Sequence, residues 1–285
     1  MIPSSFEYLK ATSVDEALSA LAGDEDAKVL AGGQSFLPLL RLRLAYPSTV
    51  IDLAGVDELR GVRDDGSHVV IGAMTTHHDV LTNPTLKEQV PLLVEATGTV
   101  ADPAVRHRGT LGGALAHADP AGDLPAVALA LDAEFVIAGA SGRRTVAAGQ
   151  FFTDYLATAI EPDEVLVEIR FPKLPGNGWG VHYEKFHRVA QAWAIVAVAT
   201  AVRRENGSIA EARIGLTNMG TTPIRASSTE QALAGVPATA DAVRAAAQRA
   251  ADGTSPSSDL NAKADYREHL ARVLTARAVS TAAGL

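Results

Sequence analysis

The 285-residue chain has no cysteine. Disulfides, cysteine-ligated zinc and iron–sulfur centres are therefore impossible within it, although a lack of cysteine does not by itself locate a protein. Basic charge is in deficit. Lys and Arg number 25 against 33 Asp and Glu, a formal charge of -8, which gives no support to broad nucleic-acid affinity. No stretch approaches roughly 18 uninterrupted apolar residues, so no transmembrane segment is expected. The start, Met1 to Glu7, lacks the basic head and apolar run of a signal peptide, and a cytoplasmic protein is the default expectation. G-x-G-x-x-G and P-loop signatures are missing, as is the G-x-S-x-G elbow of one hydrolase class. The eight histidines form neither H-x-x-x-H nor H-E-x-x-H. A metal site is not expected, and surface or loop positions are expected for these histidines.

What is present describes a globular protein with a core. The apolar fraction is 47% and the charged fraction 20%, and the length suits one large domain or two ordinary ones. Ser13-Val14-Asp15-Glu16 is a capping box opening a helix that Gly23 stops. Lys28 to Ala31 reads as a short buried strand, followed by an apolar segment from Phe36 to Leu44, and Thr49 to Leu53 reads as a second strand. Asp64-Asp65-Gly66-Ser67 is a hairpin signal. Thr76 can cap a short helix, and Leu86 to Thr97 reads as one helix. The stretch from Ala101 to Leu124 reads as a long irregular loop, often a functional feature in a compact domain. Pro172 to Gly178 is the best candidate boundary. Beyond it, long strands joined through Asn206-Gly207 precede two or three helices. The last of these carries Tyr266, Leu270, Val273 and Leu274 on one apolar face. The order of elements implies an α+β fold in two parts, residues 1–175 and 179–285, without regular βαβ alternation.

Two glycine pairs stand out, in Ala31-Gly32-Gly33-Gln34-Ser35 and in Thr110-Leu111-Gly112-Gly113. Glycine admits close backbone approach and positive φ, so consecutive N–H groups can converge on an anion without basic side chains. Two such loops can hold the phosphates of a dinucleotide from opposite sides; each pair can equally be an ordinary tight turn. In Ala118 to Pro125, an aspartate can accept hydrogen bonds from ribose hydroxyls or a ring N–H, or Asp119 and Asp123 can cap the segment starting at Leu124. Lys185, in Tyr183-Glu184-Lys185-Phe186, is of a type usually solvated. Trp193, one of two tryptophans, can be a core anchor or cover a flat ring.

These four motifs, in this order, resemble the flavoprotein subunits of the xanthine-oxidase family, which include the medium subunits of carbon monoxide, nicotine and quinoline-type dehydrogenases. The resemblance spans the chain, including Tyr266-Arg267 near its end. It implies a vanillyl-alcohol-oxidase-type (PCMH-type) FAD-binding domain in two subdomains, and a smaller C-terminal α+β domain of the CO dehydrogenase flavoprotein type. By resemblance, Val29, Leu30, Ala31, Gly32, Gly33, Gln34, Ser35 and Phe36 wrap the FAD pyrophosphate. Thr110, Gly112 and Gly113 form the opposing phosphate loop, Asp123 bonds the nucleotide portion, and Leu166, Lys185, Val100 and Trp193 lie near the flavin. Gln34 stands where carbon monoxide dehydrogenases often have His, and Ala114 where many relatives have Asn; both changes alter side-chain hydrogen bonds around FAD. The family also implies partners: a large subunit holding the molybdenum cofactor and a small subunit holding two [2Fe–2S] clusters, in an assembly with two copies of each subunit. This chain would be the electron-transfer member, with no catalytic acid or base of its own. The alternatives are a stand-alone flavin oxidoreductase, which would need a substrate base or a covalent flavin link and has no compelling residue for either beyond the open case of His107, and a non-catalytic nucleotide-binding assembly module.

Overall fold

The computed structural model describes residues 2–285. Its first layer comprises β1 (Glu7–Lys10), α1 (Val14–Ala22), β2 (Lys28–Leu30), α2 (Phe36–Leu42) and β3 (Thr49–Asp52). β3 lies between β1 and β2 and is parallel to both. Parallel neighbours need crossovers, which α1 and α2 supply, so a small βαβαβ unit exists where no such alternation was expected. Ser13 caps α1 by accepting from the Glu16 N–H. The Glu16 carboxylate accepts from Thr12 N–H, one residue before the position that a capping box would use.

The second body runs through β4 (Val62–Asp64), β5 (His68–Gly72), α3 (His77–Thr82), α4 (Pro84–Gln89), α5 (Pro91–Gly98), α6 (Pro103–Arg106), α7 (Leu111–His117) and α8 (Asp123–Ala130). It continues with β6 (Glu134–Gly139), β7 (Gly142–Ala147), α9 (Ala148–Phe151), β8 (Phe152–Asp154), β9 (Ala157–Thr158) and β10 (Val165–Pro172). Its main sheet, ordered β4-β5-β10-β6-β7, is antiparallel throughout. Val136, Ala138, Val165 and Val167 on one face share a core with the first layer. Ile71, Phe135, Ile137 and Ile169 join the core under the helices.

Two local readings change here. The single helix expected from Leu86 to Thr97 is broken at Pro91, and Val90 takes φ -135° and ψ 52°; proline lacks the N–H and pushes its predecessor out of helical geometry. The stretch from Ala101 to Leu124 holds α6, α7 and the start of α8. Asp102 and Thr110 cap the first two through bonds from Val105 N–H and Gly113 N–H. Its glycines and prolines lie at helix starts and packing contacts, which disguised the helices.

The C-terminal body comprises β11 (Trp179–Phe186), β12 (Val196–Glu205), β13 (Ser208–Thr217), β14 (Ile224–Arg225), α10 (Ser227–Leu233), α11 (Ala240–Ala247) and α12 (Ala264–Ala282). Its strands pair antiparallel in chain order. Asn206 and Gly207 turn the central hairpin at φ 51° and 79°, the positive values that such a two-residue turn requires. β12 is buried on both faces: Ala197, Ala199 and Ala201 join the core of the second body, while Val196, Val198 and Val202 pack with α10 to α12. On α12 the buried face is carried by Arg267, Leu270, Leu274 and Ala278; Tyr266, expected on that face, is 45% exposed. No helix among the described residues is long and apolar enough to cross a membrane.

Candidate functional site

A cavity of about 590 Å³ lies where the three bodies meet, within the size range of small-molecule and cofactor sites. Val29, Ala31, Gly32, Gly33, Gln34, Ser35, Phe36, Val100, Thr110, Gly113, Asp123, Lys185 and Trp193 all line it. Gly112 and Leu166 line an adjoining cavity of about 410 Å³. The two share Lys28, Val29, Ala31, Gly113 and Ala116 as walls. Leu30 lines neither; its side chain lies under Gly33, where a Cβ would stand 3.3 Å from it.

The glycine loops are unequal. In the first, the backbone N–H groups of Gly32, Gly33, Gln34, Ser35 and Phe36 donate to no acceptor among the described residues. Ser35 provides no side-chain cap to α2. Gly33 sits at φ +74°, a left-handed conformation that suits glycine and turns the row of amides into a concave nest. In the second loop every amide at the start of α7 is engaged. Leu111 and Gly112 donate to the Thr75 and Ala73 carbonyls, and Ala114 to the Thr110 carbonyl. Gly113 donates to the Thr110 hydroxyl oxygen. A Cβ on Gly112 would stand 2.5 Å from that of Ala73, so this glycine is demanded by helix–strand packing. The first loop is thus a ready anion cradle; the second is a close-packed wall.

Lys185, of a residue type usually solvated but placed near the cofactor by resemblance, is buried. Its Nζ lies 2.8 Å from Asp123 Oδ2 and 3.1 Å from the Thr99 carbonyl. Tyr183 donates its hydroxyl to the other Asp123 oxygen at 2.7 Å. Asp123 is the first residue of α8, with Gly122 at the cap position and no side-chain cap, so its carboxylate serves the domain junction. Burial pushes its carboxyl up against the pull of the Lys185 ammonium. Burial, followed by the Asp123 carboxylate, holds the Tyr183 phenol well above its ordinary range. Each Asp123 oxygen has one protein donor and retains acceptor capacity.

The remaining wall is made by Val100, Ala101, Val105 and His77. Arg106 donates to the Val100 carbonyl at 2.7 Å, steadying a turn in which Ala101 has φ 42°. His77 is 3% exposed, contrary to the surface or loop position expected. Burial, with a smaller contribution from Arg106, pulls its pKa down to about 4. Only the Thr76 cap signal placed it in sequence, at the first turn of α3; nothing there marked it as part of a cavity. Trp193 is 57% exposed at the mouth and is no core anchor. His107 stacks on His78 with ring centroids 4.0 Å apart and lies outside the lining.

The concave row of free amides, the apolar walls and the adjoining cavity fit a dinucleotide. Residues 4–174 match the family described as the FAD binding domain in molybdopterin dehydrogenase, and residues 181–282 match the CO dehydrogenase flavoprotein C-terminal domain. The chain is 43% identical to the carbon monoxide dehydrogenase medium chain of Hydrogenophaga pseudoflava, covering 99% of this chain and 98% of that one. It is 36% identical to the glyceraldehyde dehydrogenase medium chain of Sulfolobus acidocaldarius, covering 98% of each. Among solved structures, quinoline 2-oxidoreductase from Pseudomonas putida 86 superposes with a TM-score of 0.95 at 36% identity, covering 100% of this chain and 99% of the other.

Proposed function

Because the chain belongs to the family of FAD-binding medium subunits of molybdenum hydroxylases, we propose that its central cavity holds FAD with the pyrophosphate in the 32–36 amide nest. The row of five N–H groups without a protein acceptor carries this reading: four of the five residues are at least partly buried, an amide withdrawn from water without an acceptor is costly, and a pyrophosphate supplies acceptors to such a row. Bound FAD supplies the redox chemistry, taking electrons that originate at the molybdenum and iron–sulfur centres of partner subunits and handing them to an external acceptor. This chain's residues bind and orient. Gly33 shapes the nest, Thr110 and Gly113 close the opposite wall, and Lys185 and Asp123 place a buried ion pair on the lining. We assign no catalytic acid or base to it. The sequence division at 175–179 and a cytoplasmic location belong to the same proposal.

The test is co-expression with a large molybdenum-cofactor subunit and a small iron–sulfur subunit. In the assembled complex, substrate should bleach the flavin absorbance. The isolated FAD-loaded chain should stay oxidised under the same conditions. Direct reduction of the isolated chain at the full rate would favour a stand-alone oxidoreductase, and a folded chain without saturable FAD binding would favour the assembly module. His107, the residue left open as a substrate base or covalent link in the stand-alone reading, lies outside the lining, which weighs toward the carrier.

A further inference from the structure

We propose that His77 binds the cofactor's pyrophosphate, donating its Nε2 hydrogen to a phosphate oxygen across from the 32–36 nest. The inference rests on the FAD reading and extends it to a side chain that the glycine motifs do not include.

The position follows from a chain of contacts. The His77 N–H donates to the Gly109 carbonyl at 2.9 Å, and Thr76 bridges to Thr110. The imidazole lies along Gly109: a Cβ there would stand 2.9 Å from His77 Cδ2 and 3.2 Å from Nε2. Gly32 approaches the same backbone, where a Cβ would stand 2.3 Å from the Arg108 carbonyl oxygen and 2.6 Å from Gly109 Cα. The imidazole and the amide nest therefore flank one glycine.

The need for a donor follows from the α7 loop. Its first four amides are consumed within the protein, so backbone N–H groups of that loop are not free for a phosphate. The Thr110 hydroxyl hydrogen and the His77 ring are what that wall still offers. Lys185 also lines the cavity, but it is paired with Asp123.

The ring's own state supplies the proton. Nδ1 is sealed off with no partner, whereas Nε2 is not among the sealed atoms, so of the two nitrogens it is the one with access to the cavity that His77 lines. A buried N–H without an acceptor is rarer than an acceptor left short of a donor, which places the single hydrogen of the neutral ring on Nε2. Burial, and to a smaller extent Arg106 beside it, opposes a second proton. A neutral donor bound to a charged phosphate makes a charge-assisted hydrogen bond.

The experiment titrates apo-protein with FAD and, separately, with ADP, which carries the pyrophosphate without the flavin. His77→Leu should raise Kd for both ligands by the same factor, roughly 10- to 100-fold for a hydrogen bond to a charged group. His77→Gln, whose amide nitrogen reaches nearly the place of Nε2, should recover most of the loss. Melting of the apo-variants checks the fold, and the leucine variant should melt no lower than wild type, because Nδ1 has no bond to lose. Wild-type affinity in His77→Leu overturns the proposal. So does a loss for FAD but not ADP, which would put the bond on the flavin portion, and so does a glutamine variant no better than leucine. Failure of wild type to bind FAD is a separate result and overturns the cofactor reading itself.

Discussion

Lys185 and Asp123 meet across the junction of the C-terminal sheet and helix α8, Nζ to Oδ2 at 2.8 Å, with side chains 4% and 5% exposed. Tyr183 holds the second carboxylate oxygen, so the ion pair is bound into the domain contact as well as into the cavity wall.

Removing one member of this pair leaves a buried charge without its partner. Lys185→Met or Asp123→Ala is expected to cost about 3–5 kcal/mol. The double variant should recover part of that cost, with a coupling above about 1 kcal/mol in a four-way urea-denaturation cycle. Additive losses would mean that the two side chains act independently.

His77 sets a pH dependence of the apo-protein. Its folded pKa, about 4, lies below the ordinary 6.5, so the unfolded chain binds the proton more readily. Stability is fully present above pH 6.5 and declines as pH falls toward 4, by about 3 kcal/mol in all. Denaturation midpoints at pH 7.5 and 4.5 should show this loss in wild type, and His77→Leu should be less acid-sensitive by that amount.

The two glycine loops should respond differently to one added methyl group. At Gly112 the Cβ meets the Ala73 backbone as well as its side chain, so Gly112→Ala should lower stability on the order of 3 kcal/mol by overpacking. At Gly33 the contact is with the Leu37 side chain, which is 45% exposed and free to move. The cost there is the left-handed conformation, about 1–2 kcal/mol. Gly33→Ala should therefore stay folded and lose FAD affinity in a calorimetric titration. Unchanged affinity in folded Gly33→Ala would remove the nest from the cofactor site.

Arg267 is fully buried, donating to the Ile195 carbonyl and lying 2.8 Å from Asp259. Asn218 donates to the Ala194 carbonyl beside it. Together they fix the exit from the segment that carries Gln191 and Trp193. Arg267→Ala should destabilise the chain by about 1–3 kcal/mol, through the buried Ile195 carbonyl left without its donor, and speed amide exchange in residues 187–195 more than in the β12–β13 hairpin. Uniform acceleration would show only a global loss.

Local signals made much of the fold legible before any coordinates. Ser13 and Thr76 cap helices where they were expected, and Asn206-Gly207 turns the hairpin that its residue types demand. The cavity was legible through Gly33, whose φ of +74° suits glycine. Gly32 and Gly112 carry the same letter for another reason, close contact with the Arg108–Gly109 backbone and with Ala73, which only tertiary packing reveals. The burial of Lys185 and of His77 was not legible in local sequence for one cause: it depends on partners far along the chain, Asp123 for the first and the Gly109 backbone for the second. Pro91 was visible in sequence, yet the apolar run around it outweighed the break.

The close fit of the C-terminal sheet on α8 defines what can be exchanged between relatives. A Cβ on Gly215 would stand 2.1 Å from the Ala126 carbonyl oxygen. Arg225 crosses the same seam to the Leu129 carbonyl and to Asp132. A chimera spliced at Pro175 would therefore join a foreign helix to a native sheet along a seam with no slack. Residues 122–132 precede the linker in the chain, but they travel with the C-terminal body as a unit of recombination. A functional swap needs both pieces from one parent.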